Sequence, residues 1–230
     1  MLRAFSYLVA LVALVATPFV SRAAPVVVPA GLQQGDQYRV AFITSTTRDA
    51  TSADIADYNL FVAAAANSAA ELAALATDWR AIASTEAIDA RDNTGTNPAV
   101  SVGVPVYRLD GQLVAESNID LWDDTINVPI LVSEFGTALT QTFVWTGTNS
   151  DGTAAPNDLF LGIPGDFAVT GQSSDPYAPW ITAAGDQLGT KFPLYAVSGI
   201  LTVVPEPSTA VLTAIALMAL VAFCRRHRKD

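Results

Sequence analysis

"VPVYRLDGQLVA", residues 104–115, sets two runs of β-forming residues on either side of Asp110-Gly111. A dipeptide of that kind between apolar runs is a strong short-range hairpin signal and predicts an antiparallel pair closed by a type I′ turn. Upstream, Tyr38-Arg-Val-Ala-Phe-Ile-Thr44 is a second β-rich run, bounded by Gly35 and by Ser45-Thr-Thr47. Between the two, Thr51-Ser-Ala-Asp54 has capping-box spacing, and Ile55, Tyr58, Val62, Ala65 and Ala66 recur on one helical face. A helix over about residues 52–67 is therefore expected. Leu72, Leu75 and Trp79 suggest another helical turn, leading into residues 79–84, whose type is ambiguous and leans toward strand.

Downstream of the hairpin, residues 119–124 read as a short helix, and 129–135, 142–145 and 195–203 as further strands. Residues 90–102 form a long loop. So does the stretch that holds Asn149, Asp151-Gly152, Pro156, Gly162, Pro164-Gly165 and Gly171. No internal repeat is visible. Strands ordered around one or two helices, with long loops, give an α+β class with a mixed sheet.

Both ends of the 230-residue chain are apolar and differ from the middle. Residues 1–24 carry Arg3, a continuous apolar run over residues 8–16, Pro18, and small residues at Ser21 and Ala23. This is signal-peptide chemistry, with cleavage after Ala23 or Ala24. An uncleaved membrane anchor fits less well, because the apolar run is short and the cleavage-site residues are present. At the other end, residues 208–224 are 17 positions without a charge, followed at once by Arg225, Arg226, His227, Arg228 and Lys229. A helix of that length rises about 26 Å, the short limit for a transmembrane span. A buried core helix would not end in such a cluster. The basic tail fits the positive-inside rule and leaves the middle of the chain outside.

The formal net charge is −10, but residues 28–204 hold 20 acidic and six basic residues, a net of 6 − 20 = −14. Nucleic acid and sulfated polyanions are poor partners for such a body, since their binding rests on lysine and arginine. The only cysteine, Cys224, lies in the C-terminal apolar run, so the body has no disulfide.

Pro205 and Pro207 flank Glu206 directly before the apolar run. Two prolines deny the chain helix-interior hydrogen bonds and hold Glu206 in an extended, accessible segment. Val204-Pro205-Glu206-Pro207-Ser208, the apolar helix and the basic tail together resemble the PEP-CTERM sorting signal of exported proteins in Gram-negative bacteria that make exopolysaccharide. That resemblance implies an inner-membrane intermediate anchored by residues 208–224 and oriented by Arg225, Arg226, Arg228 and Lys229. It also implies exosortase as partner, processing near Pro205-Glu206-Pro207, and delivery to the cell surface or biofilm matrix. On this division residues 1–24 are the signal peptide, 25–35 a leader, 36–203 the extracytoplasmic domain and 204–230 the sorting signal.

The body itself resembles the endostatin-type domain of certain collagens, which has a C-type-lectin-like fold. The motifs are residues 79–85 (WRAIAST), 104–110 (VPVYRLD), Leu121-Trp122-Asp123, Val144-Trp145-Thr-Gly147 with Asp151-Gly152, Gly171-Gln172-Ser173 and Tyr195-Ala-Val-Ser198. The departures are as informative. The animal domain's disulfides cannot form, its histidine-dependent zinc site has no counterpart because His227 is the sole histidine, and its basic heparin-binding face is replaced by acid. The Glu-Pro-Asn and Trp-Asn-Asp signatures of calcium-dependent lectins are missing as well.

Without histidine or cysteine the body holds no Ser/His/Asp or Cys/His nucleophile and no ordinary zinc ligand set. What remains is carboxylates: Glu116, Asp120, Asp123, Asp124 and Glu134 are the raw material for a glycan hydrolase, although a solvated acidic face explains them more simply. Asn149 and Asp151 offer oxygen ligands for calcium, with an Asx turn as the simpler reading. Of Trp79, Trp122, Trp145 and Trp180, the loop-like surroundings of Trp122 and Trp180 make those two the candidates for exposed ligand contact. The expectation is a non-catalytic surface or matrix protein that binds glycan or another matrix protein and needs no cofactor, with calcium as a candidate ligand. A carboxylate-dependent hydrolase and a purely structural matrix protein are the alternatives.

Overall fold

A computed structural model describes residues 28–163 and 166–204. The expected signal peptide, residues 25–27 of the expected leader, Pro164-Gly165, the Pro205-Glu206-Pro207 motif, the apolar run 208–224 and the basic tail lie outside the described residues. Among the described residues no helix is long and apolar enough to cross a membrane.

Strand β1 (Gln37–Ile43) organises the rest, and every residue of it except Gln37 is buried. The near-continuous apolar run suits a strand covered on both faces. Tyr38, Val40 and Phe42 join one core cluster with Tyr58, Val62, Ala66, Leu72 and Trp79. Ala41 and Ile43 join a second with Val106, Trp122, Trp180, Tyr195 and Val197. In chain order there follow α1 (Ile55–Ser68), α2 (Ala70–Ala73), β2 (Trp79–Ala81), α3 (Ala90–Asn93), β3 (Val106–Arg108), β4 (Leu113–Ala115) and α4 (Asn118–Leu121). Next come β5 (Phe143–Trp145), β6 (Phe167–Gln172), β7 (Ala184–Gln187), β8 (Tyr195–Ser198) and β9 (Leu201–Thr202).

The main sheet runs β2-β8-β1-β3-β4, with β9 also on β1; β1 and β3 are parallel, and β8 and β9 are antiparallel to β1. A second, antiparallel sheet runs β5-β6-β7. The expected α+β class is observed: mixed sheets, few helices and long loops.

Several local expectations are corrected. The hairpin of β3 and β4 forms, but its turn is not type I′, which needs positive φ at both Asp110 and Gly111. Only Gly111 has it, at φ +84°. The amide of Gly111 bonds the carbonyl of Arg108 at 2.8 Å, and the amide of Arg108 bonds that of Gln112 at 2.8 Å. The result is a three-residue loop with a glycine bulge. Its cause is local: the Asp110 carboxylate accepts from Nε and Nη2 of Arg108 at 2.9 and 2.6 Å and from the Gln112 amide at 3.3 Å, while Leu109 is buried in the first core cluster.

Helix α1 starts later than expected. Its cap is Asp54, whose carboxylate accepts from the Ala56 amide at 2.9 Å, whereas the Thr51 hydroxyl is spent on Asp49. Strands β6 and β7 occupy the stretch expected to be loop. Gly171 lies inside β6 because a Cβ there would sit 2.1 Å from the Trp180 carbonyl oxygen, and β7, Ala-Gly-Asp-Gln, contains no β-forming residue. Residues 90–93 are helical rather than loop. Residues 129–135 make only isolated bridges, Ile43 to Ser133 and Val132 to Ala138.

Two outcomes check this account. Asp54→Ala costs about 1 kcal/mol in chemical unfolding, whereas Thr51→Ala leaves α1 capped and costs less. The Arg108 guanidinium bonded to Asp110 holds that carboxyl below its ordinary value of 3.8. A carboxylate depressed on folding adds stability that is complete above its unfolded value and lost as pH falls through the folded one. Thermal melting of Asp110→Asn should therefore differ from the parent above pH 3.8 and approach it in stronger acid.

Candidate functional site

The residues singled out for ligand contact are mostly structural. Trp122 is only 6% exposed and Trp180 not at all, which overturns the expectation that these two reach solvent; Trp79 and Trp145 are buried too. The rings of Trp122 and Trp180 pack at 6.0 Å, and the Trp122 indole N–H donates to the carbonyl and hydroxyl oxygens of Thr96 at 3.1 and 3.0 Å. Loop-like sequence surroundings did not imply exposure, because those loops fold over the second core.

Asn149 and Asp151 close a tight turn: the Gly152 amide bonds the Asn149 carbonyl at 3.0 Å, and Asp151 accepts from the amide and hydroxyl of Thr153 at 3.0 and 2.6 Å. Partial burial pushes the Asp151 carboxyl up, but the two Thr153 bonds and Arg91 outweigh it, so it lies below the ordinary range. Among the described residues no group of three or more His, Cys, Asp or Glu side chains gathers to hold a metal ion. Three of the five clustered carboxylates are bonded to protein donors. Glu134 is buried and accepts from the amide and hydroxyl of Ser45 at 2.8 and 2.6 Å, Asp120 accepts from the Glu116 amide at 2.6 Å, and Asp123 accepts from the Thr125 hydroxyl at 3.1 Å.

The built polar site lies elsewhere. A groove of about 570 Å³ is lined by Arg39, Asn59, Asp78, Arg80, Asp92 and Asn93, with Thr94, Gly95, Ile55, Ala56, Ile88 and Gly199. Its wall is a side-chain completion of the sheet edge. Strand β2 is an outer strand, so the amide and carbonyl of Ala81 have no further strand to bond. Asn59 Oδ1 accepts from the Ala81 amide at 2.9 Å and Asn93 Nδ2 donates to the Ala81 carbonyl at 2.8 Å. The two side-chain amides also bond each other both ways, at 2.8 and 2.9 Å. Buried backbone groups demand such partners.

Arg39 supplies the charge. It is 8% exposed, and its guanidinium donates to the carbonyls of Ser198 at 2.6 Å and Gly95 at 3.3 Å. Gly95 presents that carbonyl from a Schellman cap on α3: the Thr96 amide bonds the Arg91 carbonyl at 2.8 Å, the Gly95 amide bonds that of Asp92 at 3.2 Å, and φ of Gly95 is +65°. Burial alone lowers the Arg39 pKa from its ordinary value. The other five basic residues are more exposed or sit beside partners: Arg80, Arg91 and Arg108 lie within 4.0 Å of Asp78, Asp89 and Asp110, and Arg48 stacks 4.2 Å over the Tyr58 ring.

A second cavity, about 590 Å³, is walled by Glu86, Asp158, Asp166, Asn157, Phe160 and Phe167. Its ionisable groups among the described residues are all carboxylates. Sequence reasoning missed Arg39, Asn59, Arg80 and Asn93. The legible signals were one cation inside an otherwise apolar strand and one asparagine within the apolar stripe of α1.

No protein-family model matches the chain, and no curated protein is significantly similar to it.

Asn59→Ala and Asn93→Ala should each lower the urea midpoint by the equivalent of about 1–3 kcal/mol, since each leaves a backbone group of Ala81 unpaired. The double variant should cost less than the sum, because the second loss falls on a network already broken. Additive costs would show that the amide pair is not a unit.

Proposed function

We propose that the chain is an exported bacterial protein whose signal peptide is removed, whose body folds beyond the inner membrane, and whose C-terminal sorting signal is processed by exosortase at Pro205-Glu206-Pro207. The body, on this reading, is a C-type-lectin-like, non-catalytic binding module for a glycan or matrix protein at the cell surface or in the exopolysaccharide matrix.

The observation that carries the reading is the backbone bonding that reaches Val203, two positions before Pro205. The Val203 amide bonds the Asp36 carbonyl at 2.9 Å and the Gly35 amide bonds the Val203 carbonyl at 3.0 Å. The last such bond among the described residues thus lies two residues before Pro205. A protease-accessible element placed there separates body from anchor without cutting the sheet. Of the carboxylates read from the sequence, Glu134, Asp120 and Asp123 are bonded to protein donors, which argues against their serving as the facing pair that a glycosidase needs.

In the native host, Glu206→Ala, or neutral replacement of Arg225, Arg226, Arg228 and Lys229, should leave the protein unprocessed in the inner membrane, as read by immunoblotting of membrane and extracellular fractions. Unchanged size and location of those variants would contradict the reading.

A further inference from the structure

We propose that the Arg39–Arg80 groove is a binding site for a saccharide bearing a single carboxylate, a uronate unit within an otherwise neutral glycan. The inference rests on the reading of the body as a binding module and names its site and ligand chemistry.

Charge balance singles out Arg39. Residues 28–204 contain 20 carboxylates, yet the most buried cation among the described arginines, Arg39, has none as a salt-bridge partner. Burying a guanidinium is costly, and neutral carbonyls compensate it less well than a carboxylate does. In so acidic a body a structural role alone would be served more cheaply by one acid of the chain's own. Instead Arg39 lines an open groove, its orientation held by Ser198 and Gly95. A planar fork held by other bonds loses little freedom when a carboxylate arrives, which favours bidentate recognition. Arg80, on the same groove, has Asp78 at 4.0 Å as its one ion-pair partner among the described residues, and that aspartate side chain is 86% exposed. This second cation is weakly committed.

The remaining lining selects the rest of the ligand. Asp78 and Asp92 share the groove with the two arginines. Carboxylates accept from hydroxyl groups but repel further negative charge. A neutral sugar would leave Arg39 uncompensated, and a polyuronate would set charge against Asp78, Asp92 and the −14 body. One uronate flanked by hydroxylated rings satisfies both signs. A protein carboxylate would engage the arginines but bring no hydroxyl donors to Asp78 or to the Asp92 oxygen that Asn97 leaves free, so the saccharide is the better match.

The test is calorimetric titration of the full-length protein in detergent with a disaccharide of one glucuronate and one neutral hexose. Parallel titrations use its carboxyl-reduced counterpart, a tetrameric oligouronate, and a short peptide with a free C-terminal carboxylate. The expected result is saturable binding of the uronate disaccharide, weakened about tenfold or more by carboxyl reduction, with the oligouronate and the peptide binding less well. Arg80→Gln, at a half-exposed position, should weaken binding several-fold with an unchanged melting profile, and Arg39→Lys should weaken it further because it keeps the charge and loses the fork. Equal binding of the carboxyl-reduced sugar, preferred binding of the peptide or oligouronate, no binding of the uronate disaccharide, or an unaffected Arg80→Gln would each overturn the assignment. Failure here with Glu206-dependent sorting intact would remove only the ligand; uronate binding with Glu206-independent processing would remove only the export route.

Discussion

The structure depends on one strand with no free side. β1 has β8 and β9 on one edge, β3 on the other, and a separate hydrophobic cluster on each face. A one-residue slip in such a strand would exchange the two faces, placing Phe42 and Val40 where Ala41 and Ile43 now pack, so register is set by volume as well as hydrogen bonding. In a body without disulfides this two-sided burial is the main source of cohesion. The tryptophans belong to it: Trp79 meets Phe42 at 5.2 Å on one side, while Trp122, Trp180 and Tyr195 pack in series on the other.

That arrangement explains what was readable in advance. β1, α1 and the β3–β4 hairpin were legible because each combines strong apolar patterning with local punctuation, and such signals need no partner to be recognised. The failures share the opposite property. β6 and β7 are strands because they are bonded to each other and to β5, and nothing in Ala184-Gly-Asp-Gln187 prefers that state alone. Gly171 reads as a breaker, yet it is required by the approach of Trp180. The turn type at Asp110 was decided by Arg108, two residues back, and the burial of Trp122 and Trp180 by elements distant in sequence. The groove was the least legible part, since it joins Arg39, Asn59, Arg80 and Asn93 from four separate elements.

Function and architecture meet at the edges of this sheet. At β2 the sheet ends in two asparagine side chains rather than a strand, which blunts an edge that would otherwise pair with another chain and opens a polar groove beside it. Beyond β9 the last backbone bonds among the described residues are those of Val203, and Pro205-Glu206-Pro207 follows two positions on in the sequence. On the proposed reading, cleavage past Val203 leaves the described bonds of the central sheet in place.

Intact-mass analysis of the mature protein recovered from the extracellular fraction tests this division of the chain most directly. The account predicts a species that begins at Ala24 or Pro25, ends close to the Pro205-Glu206-Pro207 motif and lacks the apolar run with its basic tail. An extracellular species that still carries residues 208–230 would contradict it.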